Sequence, residues 1–245
     1  MHIVSEECIG CGQCIPHCPS IAIALTDGVA VIDSDLCTEC GTCARVGCCP
    51  TDAIQQSVKM SEARQMRSFF SDPAATHPNT GIPGRGTEEV KTNDVTLRVK
   101  PGEVGIAMEV GRPCLGTTLA EVEKLTMALA PLGISYEKCN PMTYLLESEE
   151  TGRIKDEHRN ERLASIIVEF TIPENRAVEV LSAIKEASKC INTVFALDFV
   201  ACYDEQGCLP AQKSIAEAGF THRPNAKINL GLGRRTLSAK SEVKD

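Results

Sequence analysis

Tryptophan is absent from this 245-residue sequence, and aromatic residues of all kinds make up only 4% of it. A nucleic-acid surface needs side chains that stack on bases and positive charge that meets phosphate. With few aromatics and a net charge of −8 the chain offers neither, so no nucleic-acid partner is expected. Long apolar runs are missing as well. No stretch approaches the roughly 18 uninterrupted apolar residues of a membrane span, and no membrane partner is expected. Met1 to Cys18 lacks the basic start and apolar stretch of a secretory signal, which predicts a cytoplasmic protein. No Gly-x-Gly-x-x-Gly follows a strand and opens a helix, which excludes a nicotinamide- or flavin-binding Rossmann unit. The five histidines are scattered and none pairs with an obvious nucleophile, so no catalytic residue is assigned.

What remains is an ordinary globular composition, 42% hydrophobic and 24% charged, long enough for two modest domains. Cysteine is the exception, with 14 in the chain. In a chain without an export signal thiols stay reduced, and clustered cysteines favour metal over disulfides. Charge is uneven too. Residues 1–56 hold Glu6, Glu7, Asp27, Asp33, Asp35, Glu39 and Asp52 against a single base, Arg45. A strongly acidic face is steered toward a basic docking patch on a partner, at a rate that falls with salt, and it reads otherwise as a solvated surface.

The cysteines begin with Cys8, Cys11, Cys14 and Cys18, spaced C-x-x-C-x-x-C-x-x-x-C, with Pro19 following at once. Cys37, Cys40 and Cys43 repeat the two-residue spacing, and Cys49-Pro50 closes the second run after Ala44-Arg45-Val46-Gly47-Cys48, two residues more than the usual three. Similar tails follow each Cys-Pro pair, Ser20-Ile21-Ala22-Ile23 and Thr51-Asp52-Ala53-Ile54, so residues 5–25 and 34–56 form an internal repeat. Iron in a sulfur cube needs soft anionic thiolates, and short spacers let a loop wrap one corner of the cube. The fourth cysteine of each run lies too far along to join its own cube and ligates the other. The expected sets are Cys8, Cys11, Cys14 and Cys49 for one 4Fe-4S cluster, and Cys37, Cys40, Cys43 and Cys18 for a second. Cys48 is an alternative to Cys49, though the Cys-Pro junction favours the latter. A structural zinc reading leaves the C-x-x-C-x-x-C triplets unexplained.

On these residues, 1–56 resemble a bacterial-type ferredoxin domain with two 4Fe-4S clusters. The resemblance implies low-potential, iron-sulfur electron transfer.

Residues 57–70 predict a short helix packing on that domain, and 71–90 turn rich in Pro, Gly and Thr, so 57–90 reads as helix plus linker. Beyond it, Val95, Leu97 and Val99 alternate as a strand, as do Ile106, Met108 and Val110. Leu119, Val122, Leu125, Leu129 and Leu132 predict a helix opened by a capping box of Thr118 and Glu121 and stopped at Gly133. A strand is expected within 134–146, another through Val168, Phe170 and Ile172, a helix over 174–190, and a last strand through Phe195, Leu197 and Phe199. Strand, helix, strand, twice over, predicts an α+β chain whose residues 91–235 form a split-βαβ sandwich of ferredoxin-like or ACT-like type, with 236–245 a polar tail. Such sandwiches also dimerise, so self-association through this domain is an expectation.

Cys202 and Cys208 straddle a turn and, with Cys114 or Cys139, suggest a further metal site, but these and Cys190 match no cluster spacing and read as ordinary thiols. Gly111-Arg112-Pro113 and Gly231-Leu232-Gly233-Arg234-Arg235 read as turns with exposed arginines, or as anion sites. Thr92-Asn93-Asp94-Val95-Thr96, Gly105 to Pro113 and Gly231 to Arg234 are similar to the N-terminal half of ferredoxin-dependent 6-hydroxynicotinate reductases. That similarity implies anaerobic metabolism and electrons fed to a reductase acting on CH-CH bonds of an N-heterocycle, with a separate catalytic subunit as partner. A complete enzyme binding substrate near Arg112 or Arg234, and a redox- or metabolite-sensing regulator, are the alternatives.

Overall fold

The computed structural model describes residues 1–57, 59–84, 98–112 and 116–222. At the N-terminal end, β1 (His2–Ile3) pairs antiparallel with β4 (Ile54–Gln55), bringing the two ends of the cysteine-rich segment side by side. Between them lie the hairpin β2 (Ile23–Thr26) and β3 (Val29–Ile32) and the single turn of helix α1 (Thr42–Arg45). The hairpin closes on Asp27 and Gly28, both at positive φ, the backbone a two-residue hairpin turn demands. Its inward residues Ile23 and Ala30 join Met1, Cys14 and Cys43 in a small core. So little apolar surface cannot hold a unit of this size alone, and bound metal has to contribute.

Helix α2 (Glu62–Ser71) follows, its start capped by the Ser61 hydroxyl, which accepts from the Arg64 amide at 3.4 Å. A helix was expected here against the N-terminal unit, yet its apolar residues Met66 and Phe70 enter the larger core of the C-terminal unit. Its arginines, not its hydrophobes, reach back to the cysteine loops. Val58 and residues 85–90 of the expected linker lie outside the described residues.

In the C-terminal unit, β5 (Glu103–Val110) leads through the short β6 (Thr117–Thr118) into α3 (Leu119–Leu129). Two further ribbons are small: β7 (Leu146–Ser148) with β8 (Arg153–Ile154), and β6 with β9 (Arg162–Leu163). Then come β10 (Ile166–Pro173), α4 (Ala177–Ala187), β11 (Phe195–Ala201) and, last among the described residues, α5 (Ala211–Glu217). β5 is the central strand of a three-stranded antiparallel sheet ordered β10-β5-β11, with Met108 opposite both Val168 and Leu197. Val104, Ile106, Met108 and Val110 alternate onto the face covered by α3 and α4. The helices meet them with Leu119, Val122, Leu125, Leu129, Val180, Leu181 and Ile184, the stripes that the 3.6-residue period announces.

Two expectations fail for local reasons. The strand expected within 134–146 shrinks to a single bridge, Tyr136 to Phe170, because Pro141 has no amide to donate and the Asn140 side chain instead accepts from the Met142 amide at 3.0 Å, starting a 3-10 turn at Pro141–Leu145. The capping box at Thr118 does not form, since the Glu121 carboxylate takes the Asn192 amide at 2.6 Å and Lys124 at 2.8 Å. Of the strand expected near 95–99 only Arg98 and Val99 are described, Val99 buried and close to Gly105. Val95, Leu97 and the 236–245 tail lie outside the described residues.

Candidate metal centre

The internal repeat is written in the backbone as well as in the cysteine spacing. Gly10 and Glu39 occupy the same place in the two loops at φ 67° and 58°, as do Gly12 and Gly41 at 70° and 69°. After the cysteine-proline pairs, Ile21 and Asp52 match again at 55° and 53°. Side-chain-bearing residues resist this left-handed region, so holding Ile21, Glu39 and Asp52 there marks a backbone fixed by its surroundings.

The loops bring the cysteines into two groups. Cys43 is buried, and burial, with the sulfurs of Cys40, Cys37 and Cys18 nearby, pushes its thiol up to about 11. Cys37 is likewise pushed to about 11, chiefly by burial. Cys18, Cys37, Cys40 and Cys43 line one cleft. Cys14 is raised by burial, with Cys48, Cys11 and Cys8 as its sulfur neighbours. Cys18 has therefore left its own run to join the second one. Cys48 stands with the first group.

Amide and hydroxyl donors point at these sulfurs. The Ala22 amide donates to Cys18 Sγ at 3.2 Å, the Ala53 amide to Cys49 Sγ at 3.3 Å and the Ala30 amide to Cys8 Sγ at 3.4 Å. Ser20 and Thr51 hydroxyls lie 3.6 Å from Cys18 and Cys49 respectively, and the Thr51 contact lowers the Cys49 thiol below its ordinary value. In the cleft of the second group, Thr38 Oγ1 is buried with no protein partner. A sulfur-rich guest would give that hydroxyl an acceptor, so both the donor set and the orphaned hydroxyl fit an iron-sulfur group.

Among the described residues, cationic side chains gather on one loop only. The Met1 ammonium and Arg64 both bind Glu39, Arg64 Nε at 2.7 Å, and Arg64 also donates to the Met1 carbonyl at 2.8 Å. Burial pushes the Glu39 carboxyl up, but the Met1 ammonium and Arg64 outweigh it and hold it below its usual range. Arg67 donates to the Ser34 and Cys37 carbonyls at 2.6 and 2.9 Å while pairing with Glu161 of the C-terminal unit. Arg45 bridges the Cys40 carbonyl and Asp72, the latter at 2.7 Å. Sequence reasoning missed Arg64 and Arg67. Their signal is faint: two bases three residues apart on a short helix directly after the cysteine run, which reads equally as a solvated face.

The other candidates do not converge. Arg112 pairs with Glu109 at 3.3 Å, Cys139, Cys190 and Cys208 are exposed, and Cys202 is half-buried with its thiol 3.6 Å from the Val99 carbonyl. Among the described residues no three His, Cys, Asp or Glu side chains gather closely enough to hold a single metal ion. Pro113, Cys114, residues 92–96 and the 231–235 turn, including Arg234, lie outside the described residues. No helix among the described residues is long and apolar enough to cross a membrane.

Residues 1–23 match a family described as a 4Fe-4S binding domain. A ferredoxin of Sorangium cellulosum is 34% identical over 82 residues, covering 32% of this chain and 79% of that protein. Ferredoxin-2 of Chlorobaculum tepidum is 39% identical over 57 residues, 22% of this chain and 92% of its own length. A component of an ion-translocating oxidoreductase complex of Methanosarcina acetivorans is 48% identical over 48 residues, but this chain spans only 17% of it. No solved structure matches.

Proposed function

The chain belongs to the ferredoxin family, and from that premise we propose that it delivers low-potential electrons from two 4Fe-4S clusters at its N-terminal end to a reductase. In this reading Cys8, Cys11, Cys14 and Cys49 hold the first cluster, and Cys37, Cys40, Cys43 and Cys18 the second. The observation that carries it is the gathering of the sulfurs into two groups, Cys18 crossing to the second, together with a mirrored feature of the two cysteine-proline junctions, whose sulfurs each take the amide four residues on, Ala22 to Cys18 and Ala53 to Cys49. Such cubes supply storage of single electrons with little rearrangement, and the protein sets the potential through burial and hydrogen bonds to sulfur.

The chain's own residues do the rest. Amide donors at Ala22, Ala30 and Ala53 stabilise negative charge on their sulfurs. The acidic residues of 1–56 orient the unit toward a basic patch on its redox partner. The C-terminal unit, read as a ferredoxin-like or ACT-like sandwich with its first strand set between the other two, holds this module against a catalytic partner. Its similarity to 6-hydroxynicotinate reductases points to an N-heterocycle as the final acceptor.

A second ligand reading has an observation behind it, since Cys48 lies beside Cys14. Anaerobically prepared protein should contain about eight iron atoms and as many sulfides per chain. Cys49→Ser should lose about half of them while Cys48→Ser keeps them. Colourless protein would refute the function, and the reverse result for the two variants would move the ligand to Cys48.

A further inference from the structure

We propose that Arg45, Arg64 and Arg67 make the Cys37–Cys43 site the more readily reduced of the two, and that the Arg67–Glu161 pair ties its potential to the C-terminal unit. The inference rests on the two-cluster reading above and adds an order to the sites. Reduction places one more negative charge on a cluster, and fixed positive charge close by stabilises it, more strongly where water is excluded. Arg67 is 9% exposed and lies between the Cys37 loop and Glu161, its Nη1 on the Ser34 and Cys37 carbonyls and its Nε on the carboxylate. Arg45 does the same between the Cys40 carbonyl and Asp72. Glu39, the one carboxylate inside the loop, is matched by two cations, the Met1 ammonium and Arg64. In these contacts four cations, Arg45, Arg64, Arg67 and the Met1 ammonium, meet three carboxylates, Glu39, Asp72 and Glu161, while Asp33 and Asp35 stand exposed at the start of the loop, where water screens them.

The first site has no counterpart. Among the described residues no lysine or arginine hydrogen-bonds to the Cys8–Cys14 loop, and the neighbouring charges in the chain are the exposed Glu6 and Glu7. An electron shared between the sites is drawn to the second, the first being oxidised as the second is reduced, with no proton moved and no bond exchanged. It then rests on the side of the molecule that α2 fastens to the C-terminal unit. Glu161 is the contact through which events in that unit reach the electron: anything that pulls its carboxylate away from Arg67 leaves the guanidinium unopposed.

The test is a potentiometric titration of the anaerobic full-length protein followed by electron paramagnetic resonance, with iron and sulfide counted in every sample. Two one-electron steps are expected, and Cys11→Ala should remove the lower one. Arg67→Gln should lower the upper step by about tenfold in its equilibrium constant, ~59 mV for one electron. Glu161→Gln should raise it, and neither should move the lower step. The opposite signs matter, because both variants break the same ion pair and a merely structural strut would shift the step in one direction. Should Arg67→Gln not fold, Arg64→Gln is expected to lower the upper step and Arg64→Lys to restore it. Same-direction shifts, an unmoved upper step, a single unresolved step, or loss of the upper step in Cys11→Ala would each overturn the proposal. Iron well below about eight atoms in the parent protein would instead overturn the cluster reading beneath it.

Discussion

Gly10 and Glu39 sit at the same turn in the two halves of one repeat, and almost everything around them differs. At Gly10 a Cβ would stand 2.1 Å from the Gly28 carbonyl oxygen, so the first loop is pressed directly onto the β2–β3 hairpin and tolerates no side chain there. At the same backbone angle in the second loop stands a glutamate, clasped by the Met1 ammonium and Arg64. One half is held by contact with its own hairpin, the other by charges brought from the chain's first residue and from α2. The same C-x-x-C-x-x-C triplet has thus been set into two unlike frames, one self-contained and one dependent on the rest of the molecule.

The largest break in that comparison is Cys11→Ala, which should cost about half the iron and destabilise the N-terminal unit, read by iron analysis and thermal unfolding. Gly10→Ala should come next, at about 3 kcal/mol or more, because the clash is with backbone and the φ of 67° is unfavourable for alanine. It should strip the first cluster before the second. Glu39→Gln should cost less, about 2 kcal/mol, since it weakens charge-assisted hydrogen bonds to the Met1 ammonium and to a partly exposed Arg64, and its iron loss should fall on the second cluster. Equal loss from both clusters in either variant would show that the two frames are not independent.

The smallest effect is a pH dependence confined to the α2 side. His77 is buried edge-on against Phe69 and Phe70, its Nδ1 accepts from the Asn79 amide, and burial lowers its pKa below 6.5. The unfolded chain therefore takes up a proton near pH 6.5 that the folded chain refuses, so stability should fall as the pH drops through that value. Denaturant titrations of the parent and of His77→Leu between pH 5 and 8 check this, the variant being expected to show the flatter profile.

The cysteine positions were legible because metal coordination demands fixed residue types at fixed separations, and the helices α3 and α4 because each buries one stripe at helical period. Both signals are local. Strand pairing near Tyr136 was not legible, because it was decided by whether Asn140 and Pro141 offered ladder donors. Nor was the fate of Glu121, which looked like a cap until Asn192, distant in sequence, competed for it. Arg64 and Arg67 were hidden for the same reason: a charge on a short helix has no meaning until the fold sets Glu39, the Cys37 carbonyl and Glu161 around it.

Helix α2 also changes where the molecule can be cut. A fragment ending at residue 56 keeps every cysteine of both runs yet forfeits the guanidiniums of Arg64 and Arg67 and the Asp72 partner of Arg45. The natural seam for grafting or minimising this module therefore falls after α2, and even there Arg67 would arrive with its carboxylate left behind in the parent. Transplanted alone, the module carries the mark of a neighbour it no longer has.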